Sequence, residues 1–264
     1  MVSKKNYILQ ELRQSITWSF FLCMLGTAGC IFLDNFNAIP YLWQNNGMSV
    51  AYYFWNSLQG PGAYGPYLIP LLCSIPYAMS YNKDCEANIV LWVVEKTGIR
   101  AYCAGKMLTA FLTGFFVCVG GMWLSVLLML RYVPFATTDI LVEFLGFPFY
   151  KFLAGGNGSA YFVILIGLMG VWCGLWVDIA LCLSSFLKSA YISLASVVVF
   201  QFGGVILLST LHIPVALRPD SWFSGTASWC NDSGTFICCI ALVIIVETFL
   251  GSLFTWKVRK NLYG

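Results

Sequence analysis

Hydrophobic residues fill most of this chain in long blocks, and polar residues interrupt them at only a few places. A helix needs about 20 mostly apolar residues to cross the hydrocarbon core of a membrane, and six blocks approach or exceed that length. They are Ile16–Leu33, Tyr64–Tyr81, Met107–Leu130, Tyr161–Leu183, Tyr191–Leu211 and Phe236–Trp256. None shows the strict alternation of a membrane β-strand. The pattern predicts an all-α polytopic membrane protein with six transmembrane helices in a single domain, residues 1–264.

The residues before the first block repeat apolar side chains at helical spacing. Ile8, Leu9, Leu12 and Ile16 form this series, and the positions between them hold mainly charged and amide side chains. Such a pattern is typical of an amphipathic helix that lies on a membrane surface. A plain basic tail is the alternative for so short a stretch.

A second short element is predicted between the second and third blocks. The apolar run 89–94 is too short to span a bilayer. Charged residues stand on both sides of it, and Gly98 follows as a residue type that commonly ends helices. We therefore expect a short helix that is held against the bundle.

Three further segments are rich in apolar or aromatic residues without being spans. Ile140–Leu153 is short and contains Glu143, Pro148 and Lys151, so we expect an interfacial or re-entrant element. Residues 34–63 and 212–235 are long and contain several tyrosines and tryptophans. Amphipathic aromatic side chains suit a membrane interface, and we favour that interpretation over a ligand-binding role.

Composition excludes most soluble classes. Charged residues make up 9% of the 264 residues and hydrophobic residues 59%, with a mean hydropathy of +0.79. A soluble domain of this size carries about a quarter charged residues, because it must cover its apolar surface. Soluble enzymes, nucleic-acid-binding proteins and disordered proteins are therefore excluded, and the lipid bilayer is the expected surrounding.

The basic residues orient the predicted bundle, because cytoplasmic loops are enriched in Lys and Arg. Of the 14 basic residues, 11 fall on one side and three on the other. The first group is Lys4, Lys5, Arg13, Lys83, Lys96, Arg100, Lys106, Lys188, Lys257, Arg259 and Lys260, and the second is Arg131, Lys151 and Arg218. We expect both termini to be cytoplasmic and the protein to reside in the plasma membrane.

Sequence patterns of catalysis are absent. The chain has one histidine, His212, and contains neither HExxH nor GxSxG. It also lacks a phosphate-binding loop, so it cannot hydrolyse ATP by that route. Eight of the 11 cysteines lie in predicted spans and none forms a CxxC pair, which favours small apolar fillers over metal ligands. We expect no catalytic residue, no metal site and no cofactor.

Two acidic residues lie within predicted spans, Asp178 in the fourth and Glu247 in the sixth. A charge at membrane depth is costly, so each acid is a functional hypothesis by default. A role in proton transfer is one interpretation. Structural pairing with an Arg, Ser or Thr side chain on a neighbouring helix is the other, and the sequence leaves both open.

The inner loop between the second and third blocks resembles the coupling segment of the type-2 permeases of ABC exporters. It has an acidic start at Asp84 and Glu86, an apolar middle, and then Arg100, Tyr102 and Lys106 where the third span begins. Six spans, cytoplasmic termini and an amphipathic first helix add to the likeness. Ala87 and Asn88 stand where the family often has a Gly. The resemblance covers nearly the whole chain and implies that residues 212–235 form a re-entrant outer segment.

The resemblance implies a transport function powered by another polypeptide. Two permeases, identical or related, would enclose a pathway, and soluble ATP-binding-cassette subunits would dock beneath them. The residues that would receive the ATPase motion are Asp84, Glu86, Glu95, Lys96 and Arg100. Export of peptides or other amphipathic cargo is the implied activity, because small six-span members often handle such molecules.

Two other classes remain open at this point. An ion-coupled secondary transporter would use Asp178 and Glu247 as proton sites, and inverted repeats would support it, but spans one to three show no clear match to spans four to six. A non-transporting scaffold or sensor would need no pathway at all. Dependence on a soluble ATPase, on a pH gradient, or on neither separates the three classes.

Overall fold

The computed structural model describes residues 4–43, 48–59, 64–137, 141–142, 144–145, 147–187, 189–228 and 231–263, which are helical and contain no strand. The α-helices in chain order are α1 (Lys4–Ser15), α2 (Trp18–Asp34), α3 (Val50–Gln59), α4 (Gly65–Ser74), α5 (Ser80–Glu86), α6 (Ile89–Thr97), α7 (Ile99–Leu130), α8 (Tyr150–Ala154), α9 (Gly158–Ser184), α10 (Ala190–Thr210), α11 (Pro219–Phe223) and α12 (Asp232–Tyr263). Short 3₁₀ segments cover Phe36–Trp43 and Val215–Leu217.

Length and composition identify a helical membrane protein. Within the described residues, α7, α9, α10 and α12 are long and apolar enough to cross a bilayer. Residues Tyr7–Ser15 and Trp18–Asp34 add a fifth candidate if this pair, bent by 55°, is counted as one span. The total of six spans stays a prediction.

The second predicted span is not one continuous helix. Helix α4 has ten residues and ends at Ser74, and turns occupy residues 75–79 before α5 begins. Pro76 accounts for the break, because proline lacks the N–H that a helix needs and disfavours helical geometry in the residue before it. The predicted helix over Tyr64–Tyr81 was wrong in this respect.

Helix α9 is the centre of the bundle, and α12 lies at its margin. In the most apolar window of each helix, 67% of α9 is buried but only 11% of α12. Helix α7 packs closely against α9 because glycines remove the side chains at the contact. A Cβ atom at Gly174 would lie 2.9 Å from Phe111 Cδ2, and one at Gly170 would lie 2.9 Å from Phe115 Cδ2. The GxxxG pattern therefore serves packing within this chain.

The first helix is present, and the face that it packs against the bundle is not the face of the apolar series. Leu9 and Ile16 are exposed, and Ile8 and Leu12 are half-buried. The buried positions are Tyr7, Glu11 and Ser15, which recur every four residues on one face of α1. Contact of the apolar series with a membrane surface stays a prediction.

Helices α1, α5 and α6 meet the first turns of α7 at one end of the bundle, and we call this the charged end. The last helix reaches it as well: Asn261 Nδ2 donates to the Ser185 carbonyl at 3.1 Å and to Tyr81 Oη at 3.3 Å. Helices α1 and α12 therefore share one end of the bundle. That this end is cytoplasmic stays a prediction.

The opposite end holds the short helices α3, α8 and α11. Asp34, at the end of α2, accepts hydrogen bonds from the backbone N–H groups of Tyr64 and Gly65 at 2.9 Å each, and so joins α2 to the start of α4. In the segment 212–235, Phe223 stacks on Trp172 of α9 with ring centroids 4.9 Å apart. Phe223 is thus packed against the bundle, and the re-entrant character of the segment stays a prediction. Glu143 and Lys188 lie outside the described residues.

Candidate functional site

Five side chains form a buried polar cluster at the charged end, which we call the Lys106 cluster. The ammonium group of Lys106 lies 2.9 Å from Glu11 Oε2 and 2.9 Å from Asp84 Oδ2. Tyr102 Oη donates to Asp84 at 2.8 Å, and Tyr77 Oη donates to Glu11. Each carboxylate therefore shares the one cation and receives one tyrosine hydroxyl.

The charged groups of the cluster depend on one another, because each is at least partly buried and needs a partner. The Lys106 side chain is 2% exposed, and a buried charge is tolerated when it is paired and hydrogen-bonded. Two carboxylates and one ammonium leave a net charge of −1 among the three ionisable partners. The hydroxyls of Tyr77 and Tyr102 stabilise the two carboxylates, because hydrogen bonds to charged acceptors are stronger than hydrogen bonds between neutral groups.

The cluster connects three parts of the chain. Glu11 comes from α1, Asp84 from α5 and Lys106 from the second turn of α7. Close packing adds to the connection, since a Cβ atom at Gly105 would lie 2.7 Å from Tyr7 Cε1. Asp84 of α5 is therefore in direct contact with Lys106 of α7 and is connected through Lys106 to Glu11 of α1.

Helix α6 is attached beside this cluster and presents a mixed surface. Val90, Val94 and Thr97 are buried against the protein, whereas Leu91 and Trp92 are exposed. The ammonium group of Lys96 lies 3.5 Å from the centroid of the Trp92 ring, a cation–π contact. The predicted short, anchored helix is thus present.

Two left-handed residues delimit α6. Asn88 precedes it with a φ of 55°, a conformation that asparagine tolerates better than most residues, and Gly98 follows it with a φ of 87°. Asn88 therefore takes a backbone conformation that glycine favours.

The predicted coupling residues fall into two groups. Asp84 belongs to the Lys106 cluster and is partly buried. The others are exposed on or beside α6 and have no ion pair within the described part of the chain: Glu86, Glu95, Lys96 and Arg100. The structure therefore places all five residues at the charged end. Asp84 is ion-paired with Lys106, and the other four form an accessible surface.

The two intramembrane acids face each other. Asp178 of α9 is fully buried, and its carboxyl group lies close enough to Glu247 of α12 for the two groups to interact electrostatically. Neither Asp178 oxygen has a hydrogen-bond partner among the described residues. Two carboxylates in an apolar surrounding repel each other, and a proton shared between them removes that repulsion. The structure brings the two acids together, and the choice between proton transfer and structural pairing stays a prediction.

A groove of about 540 Å³ leads from the charged end to this acid pair. It runs between α7 and α12, with Arg100 and Arg259 toward the helix ends and Glu247 deeper along α12. Met107 and Gly251 lie between these positions. Glu247 therefore lines the groove, whereas Asp178 is fully buried behind Glu247.

A second cavity, of about 610 Å³, opens toward the opposite end, where aromatic and polar side chains line it. Tyr67 and Trp172 contribute aromatic walls, and Gln201 Nε2 donates to the Pro66 carbonyl. Asp220 Oδ1 has no hydrogen-bond partner in the described residues, and burial raises the pKa of this carboxyl group above its usual value. The aromatic lining residues come from predicted spans, whereas the predicted outer segments contribute Leu58, Gln59, Asp220 and Ser224 to the lining.

Sequence analysis did not identify Glu11 as part of a site. Its signal was weak but present: Tyr7, Glu11 and Ser15 stand at i, i+4 and i+8 and so share one helix face. The cationic partner of Glu11 is Lys106, which lies 95 positions later and has no local signal in the sequence.

Comparison with protein-family models found no match, and comparisons with curated proteins and with solved structures found none either.

Proposed function

We propose that this chain is the membrane-spanning permease subunit of an ABC exporter, energised by a separate ATPase and acting together with a second permease. The observation that carries the proposal is the Lys106 cluster, which fastens α1, α5 and α7 together beside the exposed surface of α6. Peptides or other amphipathic molecules are the proposed cargo.

The cluster suits the transmission of a mechanical push. A soluble subunit that binds α6 can transmit motion only if α6 is attached to the spans behind it. Val90 and Val94 anchor α6, and the Lys106 cluster joins the adjacent α5 to α7. Packed and ion-paired elements of this kind move as units between discrete arrangements. The exposed Glu86, Lys96 and Arg100 remain available to a partner.

The exposed apolar surface of α12 is the proposed contact surface for the second permease. Ile244, Ile245 and Phe249 are exposed on this helix, and in a membrane protein such a surface contacts either lipid or another helix. A pathway between two copies would be bordered by α12 and by the groove that holds Glu247.

The cavity at the opposite end supports amphipathic cargo. Tyr67 and Trp172 offer aromatic surface, and the unpartnered oxygens of Gln201 and Asp220 offer hydrogen-bond acceptors. Ligand sites of this kind combine apolar walls with a few polar groups that fix orientation.

Neutralising the α6 surface tests the proposal. In a complex reconstituted with its ATPase, Glu86→Gln and Arg100→Gln are each expected to lower cargo export per ATP hydrolysed by about five-fold or more, the lower range of an interaction that couples two sites. Both side chains are exposed, so assembly should persist. Export and phosphate release are measured on the same proteoliposomes.

The matched control for this test is Lys151→Gln, which removes an exposed charge at the opposite end. Export per ATP should match the wild type in that variant. Unchanged coupling in both α6 variants would argue against the coupling role, and export without any ATPase would overturn the proposal as a whole.

The acid pair favours a second candidate, an ion-coupled transporter. Under this alternative, Asp178→Asn abolishes transport driven by a pH gradient, because the shared proton loses one of its two carboxyl groups. Glu95→Gln, which neutralises an exposed acid, leaves such transport unchanged. Uptake is measured in proteoliposomes without ATPase under an imposed pH gradient. Absence of gradient-driven transport in the wild type removes this candidate.

A further inference from the structure

Three cysteines from three different helices meet in the core of the bundle. Cys73 comes from α4, Cys118 from α7 and Cys173 from α9. Their sulfur atoms all lie within 4.8 Å of one another, and all three residues are fully buried. The described part of the chain holds no other group of three such ligand residues. Burial of cysteines alone does not produce such a group, since Cys30 is also buried and lies outside the group.

The spacing of the sulfur atoms suits a single metal ion. A metal–sulfur bond is about 2.3 Å long, so three sulfurs around one ion in a plane would stand about 4.0 Å apart. The observed limit of 4.8 Å is close to that distance and needs only small side-chain movements. A fourth sulfur is near: Met122, one turn after Cys118, has its Sδ atom 3.9 Å from Cys118 Sγ and is itself fully buried.

The ligand types select a soft ion. Cysteine and methionine sulfur select Cu(I), Zn²⁺ and iron–sulfur clusters among the biological metals. Of these, Zn²⁺ in proteins is held by thiolate, imidazole and carboxylate groups, and iron–sulfur clusters by thiolates, so a thioether ligand favours Cu(I). Histidine is absent from the cluster, and no oxygen ligand belongs to it. A thioether beside three thiols is a set that a hard or borderline ion would not choose.

Charge balance also favours a monovalent ion. Lys106 stands twelve residues before Cys118 on α7, which is about 18 Å along a helix, so no cation of that helix is close enough to neutralise an anionic complex. A net charge in this apolar surrounding is costly. With Cu(I), one thiol loses its proton, the resulting thiolate bonds to the ion, and the other sulfurs donate lone pairs. The complex is then neutral, one proton is released, and no oxidation state changes.

We propose that Cys73, Cys118 and Cys173, with Met122, form a structural Cu(I) site that holds α4 against α7 and α9. Helix α4 has only ten residues and a turn follows it, so it has few backbone hydrogen bonds of its own. A bound ion would cross-link it to the two long helices at the centre of the bundle. The proposal does not depend on the proposed transport function.

Metal content of the intact protein tests the site. The full chain is expressed in cells supplied with copper or with zinc, purified in detergent under reducing conditions, and analysed by elemental mass spectrometry. Because the cluster is enclosed, the ion is expected to enter during folding and to exchange slowly. Near one copper per chain is expected, with an X-ray absorption spectrum of Cu(I) surrounded by sulfur only.

Variants separate the site from general copper binding. Changes around a metal site commonly cost 10- to 100-fold in affinity, so removal of a direct ligand in Cys118→Ser is expected to lower affinity by about 100-fold or more. Cys30→Ser is the matched control, since it alters an equally buried cysteine outside the cluster and should retain full copper. Elution of both variants as folded chains is checked by size-exclusion chromatography.

The wild-type measurements decide the outcome even if a variant fails to fold. The proposed site is overturned if wild-type protein from copper-supplied cells contains no copper. It is also overturned if the bound copper has nitrogen and oxygen ligands. Zinc retained in place of copper overturns the assignment to a monovalent soft ion. Equal copper in folded Cys118→Ser and in the wild type overturns the assignment to these residues.

Discussion

Replacing Lys106 with methionine is expected to lower the free energy of unfolding by about 3–5 kcal/mol, the usual range for removing one partner of a buried ion pair. The methionine fills a similar volume but leaves the carboxylates of Glu11 and Asp84 without their shared cation. Thermal or denaturant unfolding of the purified chain in detergent measures the change.

A neighbouring lysine supplies the control. Lys83 precedes Asp84 in α5 but is exposed, so Lys83→Met removes the same charge without burying an unpaired acid. Its effect should stay within about 1 kcal/mol, as for exposed ion pairs. Equal destabilisation by the two substitutions would contradict the structural role of the cluster.

A compensating triple variant tests whether charge is the cause. Adding Glu11→Gln and Asp84→Asn to Lys106→Met removes all three charges and keeps side-chain volumes close to the original ones. Neutral replacements of a complete ion cluster are often tolerated, so the triple variant is expected to recover part of the lost stability. A triple variant no more stable than Lys106→Met would indicate that packing, not charge pairing, dominates at this site.

The second large effect is expected where α7 and α9 touch. A leucine at Gly174 would place its Cβ atom 2.9 Å from Phe111 Cδ2 and 3.1 Å from the Phe111 carbonyl oxygen, so the two helices must separate. Overpacking of this kind costs about 1–3 kcal/mol and sometimes more. A lower unfolding midpoint, with loss of folded protein on size-exclusion chromatography, is the expected result.

Gly167 is a matched position on the same helix. It lies two turns earlier in α9, and a Cβ atom there would meet no other heavy atom within 4 Å. Gly167→Leu should therefore leave the midpoint close to that of the wild type. If Gly174→Leu is as stable as Gly167→Leu, the close approach of α7 and α9 is not required for folding.

Hydrophobic patterning predicted the long helices well, because a block of apolar residues in lipid must satisfy its backbone within a helix. The predicted third span, Met107–Leu130, lies inside α7, which starts earlier at Ile99. The extension contains Arg100 and Lys106, whose charges suggested a loop but which continue the helix after Gly98. Pro76 had the opposite effect, since one proline divided a segment whose composition indicated a single span.

The site was predictable only where local sequence determines it. The exposure of Glu86 and Arg100 follows from charges that flank a short apolar run, and the structure places both at the surface. Long-range pairs have no such signal. Nothing near Asp178 specifies Glu247, and helical periodicity shows which face of α9 is buried without showing which helix covers it. The meeting of Cys73, Cys118 and Cys173 is hidden in the same way.

The contact between Glu11 and Lys106 also sets an order of events during biosynthesis. Glu11 leaves the ribosome 95 residues ahead of its lysine, and chains fold from the amino terminus as they emerge. Helix α1 therefore waits without its main partner while α2 and α4 are being made. Its docking is completed only when α7 arrives, so the first helix to be made is among the last to take its final place.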